Sequence, residues 1–130
     1  MSTDNAKLVS DFCMELEKGS VAALLPYLAE DVVYHNIPWK PVHGHAGVRQ
    51  VLGPFIEGPK RATVKMNLTH TTVAGNVVTN ERLEEWAKGT LKVDLPVLGV
   101  FEVKDGKITH WRDYFDAKTI APLSQAIQNG

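Results

Sequence analysis

At Arg61 the spacing of apolar residues changes from helical to extended, and that change limits the fold more than any other feature of the chain. Downstream, ATVKMNLTHTTV alternates, with Ala62, Val64, Met66 and Leu68 on one face and Thr63, Lys65, Asn67 and Thr69 on the other. AGN at 74–76 marks a turn, so VVTNERLEEWAKG is expected to return antiparallel. LKVDLPVLGVFEVKDGKITHWRDYFD then reads as two more strands joined at KDGK, where Asp105-Gly106 is the strongest hairpin signal in the chain. Upstream the pattern is helical. Ala6, Leu8, Val9, Phe12, Cys13 and Leu16 recur every three or four residues, behind caps offered by Thr3 and Asp4 and ahead of a stop at Gly19. Ser20 is placed to cap a second helix, VAALLPYLAE, which Pro26 must kink or split. A third follows Gly44 through Val48, Val51, Leu52 and Phe55 until EGPK breaks it, and a closing helix is expected from about Ala117 to Ile127. Three helices with one short strand among them, four antiparallel strands and a final helix make an α+β plan, with helices covering one face of a curved sheet.

The chain has 130 residues, 44% of them hydrophobic, which suits one domain with its own core and is too little for two. Fourteen basic residues against fifteen acidic ones leave a net charge of −1 with no run of like charge. That balance argues against nucleic acid and anionic membrane surfaces as partners. Cys13 is the only cysteine, so no internal disulfide is available, and its place in the apolar stripe of the first helix makes it a core residue. The start, MSTDNAKLVSDF, carries no signal-like apolar segment, and no stretch approaches the roughly 18 apolar residues of a membrane span. A soluble cytoplasmic protein is expected.

Chemistry is suggested where alternation puts charge among large apolar side chains. In TNERLEEWA one face carries Asn80, Arg82, Glu84 and Trp86; Glu81, Leu83 and Glu85 take the other, the two glutamates as solvated charges. In KITHWRDYFD, Asp113 shares a face with Trp111 and Phe115. A carboxylate between two large rings lies either at a rim or in a pocket, and in a pocket it needs a partner. Arg82 is the natural partner, and Glu84 is a second carboxylate within reach of the same guanidinium. Such a row is costly to bury, which makes it a candidate site. The alternative is an ordinary cross-strand pairing of surface charges.

In DVVYHNIPWKPVHG, Pro38 and Pro41 hold the chain extended, so Tyr34 and Asn36 point the same way. Together they could hold a water or a substrate oxygen, or satisfy each other in a turn. His35 has the opposite parity and is expected at the surface or in the core. His43 and His45 flank a glycine without a Cys or carboxylate cluster, so no metal site is expected.

YHNIP, ERLE and LGVFEVKDGKITHWRDYFD together resemble the limonene-1,2-epoxide hydrolase family, within the cone-shaped folds that include nuclear transport factor 2, ketosteroid isomerase and the SnoaL-type polyketide cyclases. The likeness runs from LLPYLAEDVVYHNIP to the last helix. It implies a strongly bent mixed sheet around a deep apolar pocket, a homodimer, and one-step hydrolysis of a small apolar epoxide without cofactor or metal. Carried over by motif, Asp113 would be the general base, acting on a water also held by Tyr34 and Asn36. Arg82 would bridge the two carboxylates, and Glu84 would be the protonated acid that donates to the epoxide oxygen. The pocket wall is expected to include Trp86, Trp111 and Phe115, joined by Leu98 and Val100. This chain departs from the family at Glu84, where an aspartate is usual; by that likeness Glu84→Asp should keep or raise activity. Two other readings use the same fold: a one-base isomerase or cyclase with Tyr34 as oxyanion donor, or a binding protein for a small apolar ligand.

Overall fold

The computed structural model describes residues 2–129, with side chains from Asp4 onward, so the expected cap at Thr3 lies outside the described side chains. Helix α1 (Ser2–Glu15) turns Val9, Phe12 and Cys13 into the core and ends in a 3-10 turn at Leu16–Lys18. Gly19 closes it at φ +73°, a left-handed conformation that glycine adopts without the penalty a side chain brings. The Ser20 hydroxyl then accepts from the Ala23 N–H at 3.2 Å and opens α2 (Val21–Leu24).

Pro26 lies in the 3-10 turn Leu25–Tyr27 that follows, and there the helix stops. Leu28 to Glu30, expected to be helical, already belong to strand β1 (Leu28–Asn36). Leu28 finds a partner in Ile108 of a later strand once proline has removed a helical donor, and an irregularity in the pairing follows before Val33. A two-residue strand, β2 (Val42–His43), pairs antiparallel with β1 and leads into α3 (Gly44–Ile56).

The alternating half forms β3 (Thr63–Ala74), β4 (Val77–Lys88), β5 (Leu91–Lys104) and β6 (Lys107–Tyr114), all antiparallel, before α4 (Ala117–Asn129). Asp105 and Gly106 join β5 to β6 with φ of 52° and 74°, the paired positive values that match a tight hairpin to the twist of its strands. The sheet order is β2-β1-β6-β5-β4-β3, and β1 runs parallel to β6. The sheet is therefore mixed, as the family resemblance implied. Its inner face packs Val78, Phe101 and Trp111 against Phe12, which meets the Trp111 ring edge-on at 4.8 Å. No helix among the described residues is long and apolar enough to cross a membrane.

Candidate active site

Strand alternation brings Asn80, Arg82, Glu84 and Trp86 to the inner face of β4, and each is at least nine-tenths buried. Register does the rest: Gly99 of β5 lies opposite Asn80 on one side and Asp113 of β6 on the other. The side chains of Arg82 and Asp113 meet across that glycine. Arg82 Nη2 donates to Glu84 Oε2 at 2.8 Å and to Asp113 Oδ2 at 2.9 Å. Its Nε donates to Glu84 Oε2 at 3.1 Å and its Nη1 to Asn80 Oδ1 at 2.9 Å. All three guanidinium nitrogens are engaged, which a buried cation requires.

Gly99 provides the space. A Cβ at that position would lie 2.3 Å from Arg82 Nη1 and 2.9 Å from Asn80 Oδ1, so any side chain would displace the guanidinium. Behind it Asn80 Nδ2 faces Cys13 Sγ at 3.5 Å, and burial pushes the thiol up to about 11. Cys13 is thus a neutral core thiol beneath the charged row. Burial also works against the charge on Arg82, but the two carboxylates outweigh it and raise its affinity for the proton well above normal.

The two carboxyl groups are held differently. Glu84 accepts from Arg82 on Oε2 and from the Trp86 indole N–H on Oε1 at 3.0 Å, so both of its oxygens are engaged. Asp113 accepts from Arg82 on Oδ2, while its Oδ1 is buried without a hydrogen-bond partner. Burial pushes the Asp113 carboxyl up to about 6; Arg82 pulls it back and Glu84 adds to the rise. The group is mostly ionised at pH 7 and basic enough to take a proton there.

Tyr34 and Asn36 arrive from β1 through the parallel pairing, Tyr34 opposite Trp111 and Asn36 opposite Asp113. The Tyr34 ring stacks on Trp111 with 3.9 Å between centroids, and burial keeps its hydroxyl protonated. Both residues line the same cavity as Glu84 and Asp113. Trp86, Trp111 and Phe115 form part of its wall.

Leu98 and Val100, expected in that wall, do not reach it. They lie on the outer face of β5, with Leu98 44% exposed and paired opposite Tyr114, and Leu95 and Val97 face the cavity in their place. The odd positions of β5 are apolar or glycine from Val93 to Val103, whereas the even ones include Lys92, Asp94 and Glu102; that contrast already marks the inner face. Sequence reasoning also gave no role to Asn80, Gly99 or Trp39. Trp39 lines the cavity while half exposed, edge-on to Phe115 at 5.5 Å, a loop position without periodic signal. His35 and His45 bond to backbone carbonyls of Trp39 and Leu28. Among the described residues no group of three or more His, Cys, Asp or Glu is gathered closely enough for a metal ion.

A hydrophobic chamber with one bridged carboxyl pair suits acid–base chemistry on a small apolar substrate. Comparison with known proteins identifies the family. Residues 3–126 match the limonene-1,2-epoxide hydrolase catalytic domain family. The chain is 36% identical over 89 residues to the epoxide hydrolase EphG of Mycobacterium tuberculosis, a match spanning 68% of this chain and 58% of that protein. An LEH-like epoxide hydrolase of M. tuberculosis superposes with a TM-score of 0.79 at 28% identity, over 99% of this chain and 92% of the other. SalBIII, an epoxide hydrolase/cyclase-like enzyme with a role in pyran ring formation in polyether salinomycin, shares the fold: TM-score 0.75, 16% identity, 90% of this chain and 94% of that one.

Proposed function

This chain belongs to the limonene-1,2-epoxide hydrolase family, and from that premise we propose that it hydrolyses a small apolar epoxide to a vicinal diol in one step, without a cofactor. Water held by Tyr34 and Asn36 loses a proton to Asp113 as its oxygen attacks a ring carbon. The carbon–oxygen bond of the ring breaks, and Glu84 gives its proton to the departing oxygen. Epoxide and water yield the diol, and one proton must return from Asp113 to Glu84 before the next turnover. Arg82 orients both carboxyl groups throughout, offering two donors to Glu84 and one to Asp113.

The observation that carries the reading is the buried carboxyl pair on one guanidinium, Glu84 and Asp113 both lining an otherwise apolar pocket and Asp113 Oδ1 left without a hydrogen-bond partner. The aromatic and aliphatic wall favours compact cyclic or aromatic epoxides, limonene-like in size, over linear polar ones. A cytoplasmic homodimer is the proposed working form, paired through the outer sheet face where Leu98 and Tyr114 lie exposed side by side; a monomeric mass at sedimentation equilibrium would exclude it.

The test is turnover of a panel of cyclic epoxides in ¹⁸O-water, with steroid and polyketide enol substrates as controls. Expected are diols with one labelled oxygen and no diol from a folded Asp113→Asn variant, whose amide cannot accept the proton. Enol turnover without epoxide turnover would favour the one-base isomerase or cyclase reading. Binding without turnover of either would favour a ligand-binding protein. The arginine bridge weighs against both, since neither role calls for a second buried carboxyl on the same guanidinium.

A further inference from the structure

Glu84 departs from the family's usual aspartate, and its extra methylene carries Oε1 to the Trp86 indole, 3.0 Å from Nε1. Trp86 is two residues further along the same face of β4, 6% exposed, and its ring is braced edge-on by Phe55 at 5.8 Å. An indole N–H donates and never accepts, so the oxygen facing it must present a lone pair. Glu84 Oε2 already meets two N–H groups of Arg82, which leaves no room there for a proton. A protonated Glu84 therefore carries its hydrogen on Oε1, and with the indole on one side that O–H is directed away from Trp86.

We propose that Trp86 is a positioning residue for the acid: its indole N–H aims the Glu84 O–H into the pocket and stabilises the charge that Oε1 acquires as the proton leaves. This rests on the epoxide hydrolase reading. The hydrogen bond is neutral in the ground state and becomes charge-assisted as the ring opens, so it lowers the barrier more than it strengthens substrate binding. An aspartate at position 84, one methylene shorter, would fall back toward Arg82 and lose the indole. Glutamate and tryptophan are thus a matched pair, and Glu84→Asp should cost activity here, contrary to what family likeness alone implies.

The test is a double-substitution cycle on the full chain. Trp86→Phe keeps an aromatic wall and removes the donor; kcat is expected to fall about 10- to 100-fold, the worth of a hydrogen bond to a charged group, with KM changed by less than about threefold. Glu84→Asp should fall as well, and the double variant should be no slower than the worse single one. In ¹H–¹⁵N spectra the Trp86 indole proton, assigned by its absence from Trp86→Phe, should lie downfield in the wild type and move upfield in Glu84→Asp. Unfolding midpoints of all variants are measured alongside, so that kcat is compared only among folded proteins. Wild-type kcat in Trp86→Phe, multiplicative losses in the double variant, or an indole resonance indifferent to residue 84 would each overturn the proposal. A wild type that shows the indole shift but opens no epoxide would remove the acid role, and would do so by defeating the hydrolase reading rather than the contact.

Discussion

Residue by residue, the buried row depends on one absence as much as on its charges. Gly99 has no side chain where a Cβ would meet Arg82 Nη1 at 2.3 Å, and both flanking strands hold its backbone in register. Gly99→Ala must therefore push the guanidinium away from Asp113 or Glu84. Misplacing a catalytic group by about 1 Å costs on the order of 100-fold. Such a loss in kcat/KM is expected, and activity within twofold of wild type would mean that the arginine adapts. Arg82→Lys probes the other side of the same contact. An ammonium retains the charge but cannot reproduce four donor contacts from a planar fork, so its epoxide turnover should fall nearly as far as in Arg82→Ala. The charged residues of the row were legible because Asp113 stood between two rings and Arg82 and Glu84 alternated toward the core. The glycine was not, because a lone glycine within an apolar strand has many meanings until its neighbours are placed.

At the level of elements, hairpins were readable and the parallel seam was not. Asp105-Gly106 announces its turn locally, and the structure gives both residues positive φ. Gly106→Ala should cost about 1 kcal/mol in urea unfolding, since a Cβ at φ +74° is strained. It should leave kcat unchanged, because the turn lies at the far end of the β5–β6 hairpin from Asp113. A large loss of activity would show that the hairpin sets the register of the catalytic strand. The pairing of β1 with β6 has no comparable signature. It joins residues far apart in sequence, so Tyr34 and Asn36 could be seen as a pair but not seen beside Trp111 and Asp113. The end of the second helix was misjudged for the same reason: Leu28 pairs with Ile108 of β6, and Ala29 and Glu30 continue that strand against their helical pattern. On β5, reading Leu98 and Val100 as inward was a parity error that the charges at even positions could have prevented.

For the whole molecule, the site is held against the fold's own preference. Burial raises the Asp113 carboxyl to about 6, against an ordinary value near 4. Between those values the folded chain binds more protons than the unfolded chain, so this group makes stability fall as pH rises from about 4 to 6 and leaves it lower above. Asn at position 113 imitates the protonated form. Asp113→Asn should therefore be about 1–3 kcal/mol more stable than the wild type at pH 8, with the difference shrinking toward pH 4. Equal or lower stability at pH 8 would show that the Arg82 ion pair outweighs the burial of the carboxylate. The same shift should place the acid limb of the wild-type kcat/KM profile near pH 6, since Asp113 must be ionised to act as the proposed base.

The chain's three tryptophans, Trp39, Trp86 and Trp111, all line the same cavity, Trp39 half exposed at 50% and the other two buried. Nearly all ultraviolet-excited emission of this protein thus originates within a few ångströms of whatever the cavity holds. Occupancy is written into its natural fluorescence, so titration with a diol or an unreactive epoxide analogue gives a dissociation constant with no label and no turnover.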